Sequence, residues 1–504
     1  MKFPTITSSN TIGLLAIVLS CLLSAFSILT NPLLNDDAYG YLRAAEIFNS
    51  AGIDAVLDSY GWYGYSILIA LADLILPGSL LLAAHLLNTA SFALLVFSFI
   101  KISCEFSGDQ SHQQRIQCFA AATILVFPLL NEMRFFLIRD FAFWAFTLLS
   151  LQQLIVYQRN GLLRSAICWS LAVLVAILFR LEGILLAIFV PFSLLLGTTA
   201  NKGKRFLTLI SVLFASILLV LMLAFLLQIN LLELMQYAYR YYLPQLFNLG
   251  TVLTDSALNV NTALFTVENF PGTDNVGYGL MIAIFAYFFT VVANLVNALS
   301  VPFTVLLLFA AWHGHLDLPH KIRWLLLSYI ACTLLGLLLF LFIMHFLTQR
   351  YAALLCILLL TLVPGALNSM YEKALANHST KRFLYMLGIF CVYFSGDSLI
   401  SFGYSQHYLK EASDWSVINL PAATNLHTNH YGIAYNSKHI EAYDKISLSA
   451  ANTITQSKSG DYLMLAVKQS ESEIRDLLDA NQQLQLITRF SNTRGDEVRV
   501  YRQQ

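Results

Sequence analysis

The chain has 504 residues, 58% of them hydrophobic and only 12% charged, with a mean hydropathy of +0.67. Its 29 basic and 29 acidic residues cancel, which leaves no basic field of the kind a nucleic-acid binder uses and points to a polytopic membrane protein. Walker A, dinucleotide-binding glycine and HExxH motifs are all absent, as is any repeated module, which sets aside nucleotide chemistry, zinc proteolysis and solenoid binding.

The first apolar run spans residues 11 to 30, preceded only by Lys2. It is longer than the 7 to 15 residues of a signal-peptide core, so an uncleaved anchor is expected. An outer loop, 31 to 78, follows and opens on DDAYGYLRAAEIF, with Asp36 and Asp37 at its head. One aspartate is enough to cap the amphipathic helix that begins near Ala38; two in a row exceed that need. At a membrane surface one carboxylate can take a proton from an acceptor hydroxyl or amine while its neighbour orients the acceptor or tunes the first one's pKa.

Further apolar runs lie near 79 to 100, 117 to 130, 141 to 156, 165 to 179, 183 to 197, 207 to 229, 284 to 310, 324 to 345, 351 to 366 and 383 to 400. Counted with the first, they predict about eleven helices. Several are shorter than ~20 residues, so hairpins with bent or tilted members are expected.

Charges interrupt this pattern at few places. Residues 131 to 140, NEMRFFLIRD, carry Glu132, Arg134, Arg139 and Asp140 between two spans, either as interfacial salt bridges or as part of a site. Arg180 and Glu182 stand in ILFRLEGILLAIF, marking a hairpin turn or a buried functional site. Residues two apart do not share a helix face, so their pairing requires a break, which Gly183 allows. Arg350 and Tyr351 open a later span in HFLTQRYAALLC, with His345 five residues earlier; Arg350 is either a snorkelling anchor or a phosphate ligand. His313, His315 and His320 in WHGHLDLPH imitate a metal tract but fall in a predicted cytoplasmic loop, and no metal is assigned there. The outer stretch 230 to 278, with tyrosines at 237, 239, 241, 242 and 278, serves as interfacial anchors or as a lid that stacks sugar rings.

Sidedness follows from the lysines. Lys2, Lys101, Arg115, Arg159, Arg164, Lys202, Lys204, Arg205, Lys321, Arg323, Lys373, Lys381 and Arg382 occupy one set of short loops, cytoplasmic by the positive-inside rule. The other set holds Arg43, Arg134, Arg139, Arg180, Arg240 and Arg350 and no lysine, a preference that suits planar two-point recognition of phosphate or carboxylate. The seven cysteines all lie in spans or near a cytoplasmic loop and imply no disulfide framework. After about residue 400 the chain turns polar. Helices near 406 to 418 and 471 to 480 and strands near 461 to 468, 485 to 490 and 498 to 502 predict a small α/β domain, residues 401 to 504, on the outer side of a transmembrane domain spanning 1 to 400.

An acidic pair after span one, an Arg-Asp after span three, the RLEG element and a late Arg-Tyr together resemble the GT-C glycosyltransferases, integral-membrane enzymes with polyprenyl-phosphate sugar donors. The nearest branch resembles the bacterial relatives of protein O-mannosyltransferases and of lipid A aminoarabinose transferases, and the pattern touches most of residues 10 to 400. The resemblance implies a polytopic α-helical fold with a soluble outer domain, in a bacterial inner membrane, with the N-terminus cytoplasmic and the tail periplasmic. It implies Asp36 as the catalytic carboxylate, Asp37 where relatives often have Glu, and Arg350 with Tyr351 and Arg139 at the donor phosphate. Arg180, Glu182, Arg134, Asp140 and His345 would line the cavity. The acceptor would be a glycan, a lipid or a protein, the transfer inverting, and no metal is needed for a single-phosphate donor, although an acidic cluster can hold a divalent cation. Two departures stand out: Gln349 replaces the proline common before Arg-Tyr, and RLEG replaces Arg-Pro-Glu-Gly. The alternatives are a transporter or flippase of a lipid-linked or small substrate, a noncatalytic assembly factor, and an oligosaccharide polymerase or ligase. Transporters usually place charges at the midplane and show internal repeats; here the charges gather at helix ends.

Overall fold

The computed structural model describes residues 9–59, 63–76, 78–107, 112–197, 201–226, 278–316, 318–400 and 406–504, together with isolated positions between 244 and 259. Most of the predicted outer stretch 230 to 278 therefore lies outside the described residues.

In chain order the helices are α1 (Ser9–Thr30), α2 (Asp36–Ser59), α3 (Tyr63–Ile75), α4 (Leu80–Ser107), α5 (Gln113–Leu125), α6 (Pro128–Glu132), α7 (Asp140–Asn160), α8 (Leu163–Phe179), α9 (Gly183–Phe189), α10 (Ser193–Leu196) and α11 (Lys202–Leu226). There follow α12 (Tyr278–Trp312), α13 (His320–Met344), α14 (Gln349–Leu360), α15 (Val363–Ala376) and α16 (His378–Leu399). Among the described residues six helices are long and apolar enough to cross a membrane, or seven when the pair α14–α15, bent by 44°, is taken as one span. The chain is a multi-pass membrane protein of mostly helical architecture. The predicted count of about eleven is not reached by this measure. The runs at 165 to 179 and 183 to 197 correspond to helices too short to qualify, and the run at 117 to 130 is divided by a break before Pro128.

Contacts divide the chain into two compact units. The first comprises residues 1–22, 89–132 and 139–398. Its centre is the α7–α8 hairpin, closed by Gly161, whose φ of 67° caps α7 while its N–H donates to the Tyr157 carbonyl. A left-handed residue at this position suits glycine, which carries no Cβ to clash. Trp144, Trp169 and Tyr329 are fully buried. The Tyr329 hydroxyl lies 2.7 Å from Ser150 Oγ and accepts from Trp169 Nε1 at 3.1 Å, tying α13 to α7 and α8 with the buried polar groups satisfied. Outward positions are apolar too: Phe225 is 82% exposed and Ile389 68%, the inverse of a soluble surface and what lipid contact requires.

The second unit comprises residues 23–88, 133–138 and 399–504. Its C-terminal part holds α17 (His407–Asn419), β1 (Leu426–Thr428), α18 (Tyr431–Ser437), α19 (Ala450–Gln456), β2 (Tyr462–Val467), α20 (Ser472–Ala480), β3 (Leu484–Ser491) and β4 (Glu497–Gln503). The sheet order is β1-β2-β4-β3, with β1 parallel to β2 and the other pairs antiparallel. Alternation along β2 sends Leu463, Leu465 and Val467 to one core, with Ala450, Leu478 and Tyr501, and Met464 to another, with Leu409, Ala412, Ile433, Val498 and Val500, as a period of two demands. Leu33, just before α2, is buried in that second core, and Tyr39 of α2 packs with Ala434 and Tyr443.

Candidate functional site

In the first unit, the predicted charged residues from three separate stretches of sequence converge. Helix α8 ends at Phe179, and Arg180 leaves it in an extended conformation. The turn that follows is tight at Gly183: a Cβ there would come 3.0 Å from the backbone nitrogen of Ile177. This is the break that allows Arg180 and Glu182, two residues apart, to face one another. The Arg180 guanidinium forks onto Glu182, Nη2 to Oε1 at 2.6 Å and Nε to Oε2 at 3.3 Å, and its Nη1 donates to Asp140 Oδ1.

Asp140 is the first residue of α7 and is fully buried. Its other oxygen, Oδ2, accepts from Arg350 Nε at 3.0 Å and lies 2.9 Å from Arg350 Nη2. Arg350 stands in the first turn of α14, whose first residue is Gln349. The first position of a helix is where a proline fits, so Gln349 in its place leaves the helix start intact. Tyr351 presents its ring to both arginines, at 4.9 Å from the Arg180 guanidinium carbon and 5.7 Å from that of Arg350, and stacks on Phe340 at 4.1 Å. The charge of Arg139 also acts on Asp140 and Glu182. Among the described residues, Arg180 and Arg350 thus share the buried Asp140 carboxylate, with Glu182 completing the cluster.

Beside this cluster lies a pocket of about 40 Å³, lined by Arg180, Glu182, Tyr351 and Phe340 with Thr333 and Gly336 of α13. Gly336 admits the Glu182 side chain, whose Cβ would be 3.4 Å from a Cβ at 336. A pocket of this size admits a water or a small polar group.

The second unit holds Asp36 and Asp37, both exposed, in the first turn of α2. Asn35, one residue earlier, accepts from the Leu137 N–H at 2.7 Å, which fixes the entry to the helix. Asp36 acts electrostatically on Tyr39, Tyr431 and His430. Burial holds the His430 imidazole below its ordinary pKa, the Asp36 charge opposes that shift, and Lys468 adds to it. His430 Nδ1 accepts the Gly432 N–H at 3.1 Å. Arg134 is buried in this unit, with Nη1 donating to Ser24 Oγ at 3.1 Å.

His345 ends α13 with a φ of 57°, its Nδ1 3.0 Å from the Tyr287 hydroxyl. It belongs to the first unit, and its ring lies 6.4 Å from that of Tyr287. Among the described residues there is no group of three or more His, Cys, Asp or Glu side chains placed to hold a metal ion. His315 Nδ1 instead lies 2.8 Å from Ser369 Oγ.

No protein-family model matches the chain, and no curated protein sequence matches it. Solved structures do. An oligosaccharyltransferase from Archaeoglobus fulgidus, solved with zinc and sulfate, aligns over 93% of this chain and 70% of its own at 11% identity, with a TM-score of 0.53. The archaeal oligosaccharyltransferase AglB from the same organism, solved with an inhibitory peptide and a dolichol-phosphate, aligns over 98% of this chain and 74% of its own at 12% identity and a TM-score of 0.53. The chain has the GT-C fold. ArnT from Cupriavidus metallidurans, solved with undecaprenyl phosphate, is a weaker likeness, at 11% identity over 98% of each chain and a TM-score of 0.45. Within this fold, the sequence marks every charged member of the arginine cluster but none of Phe340, Thr333 and Gly336. These three sit inside a continuous apolar run, where nothing in the pattern marks one helix face from another.

Proposed function

We propose that the protein is a glycosyltransferase that moves a sugar from a polyprenyl-phosphate donor to an acceptor at the outer face of the membrane, with inversion. The observation that carries this reading is the Asp140–Arg180–Glu182–Arg350 cluster. Charges are costly inside a bundle and mark functional sites there, and Arg350, 21% exposed, lies at the edge of this cluster. Guanidinium is suited to gripping a phosphate at two points, and Tyr351 fixes both arginines from one side. Arg350, Tyr351 and Arg139 would hold the donor phosphate and stabilise the charge that grows on its oxygen as the glycosidic bond breaks. Asp140, Arg180 and Glu182 would hold Arg350 in place. The AglB structure supports the class of ligand, since that protein was solved with a dolichol-phosphate.

The base role falls to Asp36, exposed at the head of α2, with Asp37 orienting the acceptor. Attack without an enzyme nucleophile inverts the anomeric centre. Arg134, which donates to Ser24 Oγ, and His345, beside the Tyr287 hydroxyl, would line the cavity. The membrane would be a bacterial inner membrane with a cytoplasmic N-terminus and a periplasmic tail. A second reading, transfer of a diphosphate-linked oligosaccharide, is favoured by the likeness to oligosaccharyltransferases. Incubation of the purified protein with polyprenyl-monophosphate sugars and, separately, with polyprenyl-diphosphate oligosaccharides separates the two: polyprenyl phosphate released only from the first supports the proposal, and turnover only of the second replaces it.

A further inference from the structure

A second cavity of about 650 Å³ lies in the first unit between α5, α12, α15 and α16. Its walls are apolar over most of their length, with Phe119, Leu306 and Leu387 among them, and at one end Asn377, His378 and Lys381 gather where α15 passes to α16. We infer that this groove binds a glycerophospholipid with an anionic headgroup, the acyl chain along the apolar walls and the phosphate against Lys381.

Three observations commit the groove to that occupant. Water cannot fill a space walled mainly by hydrocarbon without losing hydrogen bonds, whereas an acyl chain can. The polar end is electropositive. Its neighbouring carboxylate, Glu372, is taken by Arg115, which also donates to Asn368 at 2.6 Å and stacks on Tyr371 at 4.8 Å. Lys373 turns to His315 at 3.5 Å, and among the described residues Lys381 has no carboxylate partner. A basic pocket between membrane helices at the lysine-rich face is the arrangement that attracts anionic headgroups. Finally, from Arg350 to Tyr371 the chain runs through α14 and α15, a path of about 30 Å at the helical rise per residue, comparable to the thickness of the bilayer core. The headgroup end of the groove is therefore at the opposite end of the broken span from the arginine cluster, which separates its occupant from the proposed sugar donor.

Native mass spectrometry of the full chain, titrated with phosphatidylglycerol and with phosphatidylcholine of the same acyl chains, tests this. One phosphatidylglycerol should be retained per chain in preference to phosphatidylcholine. Lys381→Gln, an exposed change, should weaken its binding about five-fold. Gly388→Phe should abolish it, because an added Cβ at 388 meets nothing within 4 Å and the ring can enter the groove; the thermal midpoint of each variant confirms that it is folded. Equal retention of both lipids, unaffected by either variant, overturns the inference. So does undecaprenyl phosphate as the preferred occupant in a parallel titration, displaced by Gly388→Phe.

Discussion

Asp140→Asn tests the arginine cluster at its centre. The carboxylate is fully buried and joins two guanidiniums, Arg180 with 7% and Arg350 with 21% of its side chain exposed. Asparagine keeps the volume and one acceptor oxygen but removes the charge that Arg180 and Arg350 share. Breaking a buried pair by removing one partner costs about 3 to 5 kcal/mol, because the remaining charge stays desolvated. By contrast, Lys410→Ala, which removes the partner of Asp414 on the surface of α17, with side chains 46% and 54% exposed, should cost no more than ~0.5 kcal/mol. Detergent-denaturation midpoints of the full-length protein measure both. A double-mutant cycle of Asp140→Asn with Arg350→Gln should show a coupling of about 0.5 to 3 kcal/mol, since the two residues touch. A loss below about 1 kcal/mol for Asp140→Asn, together with additivity in the cycle, would refute the reasoning, because it would mean that the cluster is solvated and carries no constrained charge.

Gly183→Ala places a methyl 3.0 Å from a backbone nitrogen, so it should open the α8–α9 turn, uncouple Arg180 from Glu182 and lower donor turnover at least ten-fold; unchanged turnover would show that the turn does not position the cluster. Tyr351→Leu removes the ring that both arginines face and should weaken donor binding by about 0.5 to 2 kcal/mol, read as a rise in KM for the donor; Tyr351→Phe, which keeps the ring, should raise KM less. His430, whose pKa burial holds below its ordinary value, binds fewer protons folded than unfolded. Its contribution to stability is therefore complete above the unfolded pKa near 6.5 and is lost as pH falls below it. The thermal midpoint should drop between pH 7 and 5.5, and the drop should be smaller in His430→Gln; an identical slope in that variant contradicts the assignment.

Most of what organises the first unit was legible because charges are rare there. Arg180, Glu182, Asp140 and Arg350 stood out against apolar neighbours, and RLEG carried its own explanation, a glycine at a break. The helical division was less legible. Hydropathy detects apolar length, but the kink at Ser300 and Pro302 in α12, the bend between α14 and α15 and the break before Pro128 change how a run is divided into spans without changing its composition. In the second unit, β2, β3 and β4 followed from their alternation and α17 and α20 from their periodicity. The three-residue β1 and the short helices α18 and α19 gave too few residues for either period to show. That Leu33 and Tyr39 would be buried with the C-terminal sheet and helices was not readable at all, since each is separated from its partners by hundreds of residues and nothing local distinguishes such a leucine from a lipid-facing one.

The central claim is that the protein transfers a sugar from a polyprenyl-phosphate donor, with its phosphate held at Arg350 and its acceptor activated at Asp36. The direct test is donor-dependent release of polyprenyl phosphate by the purified protein in lipid, with a panel of polyprenyl-monophosphate sugars and acceptor extract, beside Asp36→Asn and Arg350→Ala. The account expects release by the parent from at least one donor, a ~100- to 10,000-fold slower release by Asp36→Asn, and loss in Arg350→Ala. Full release by both variants, or none by the parent from any donor, would contradict it.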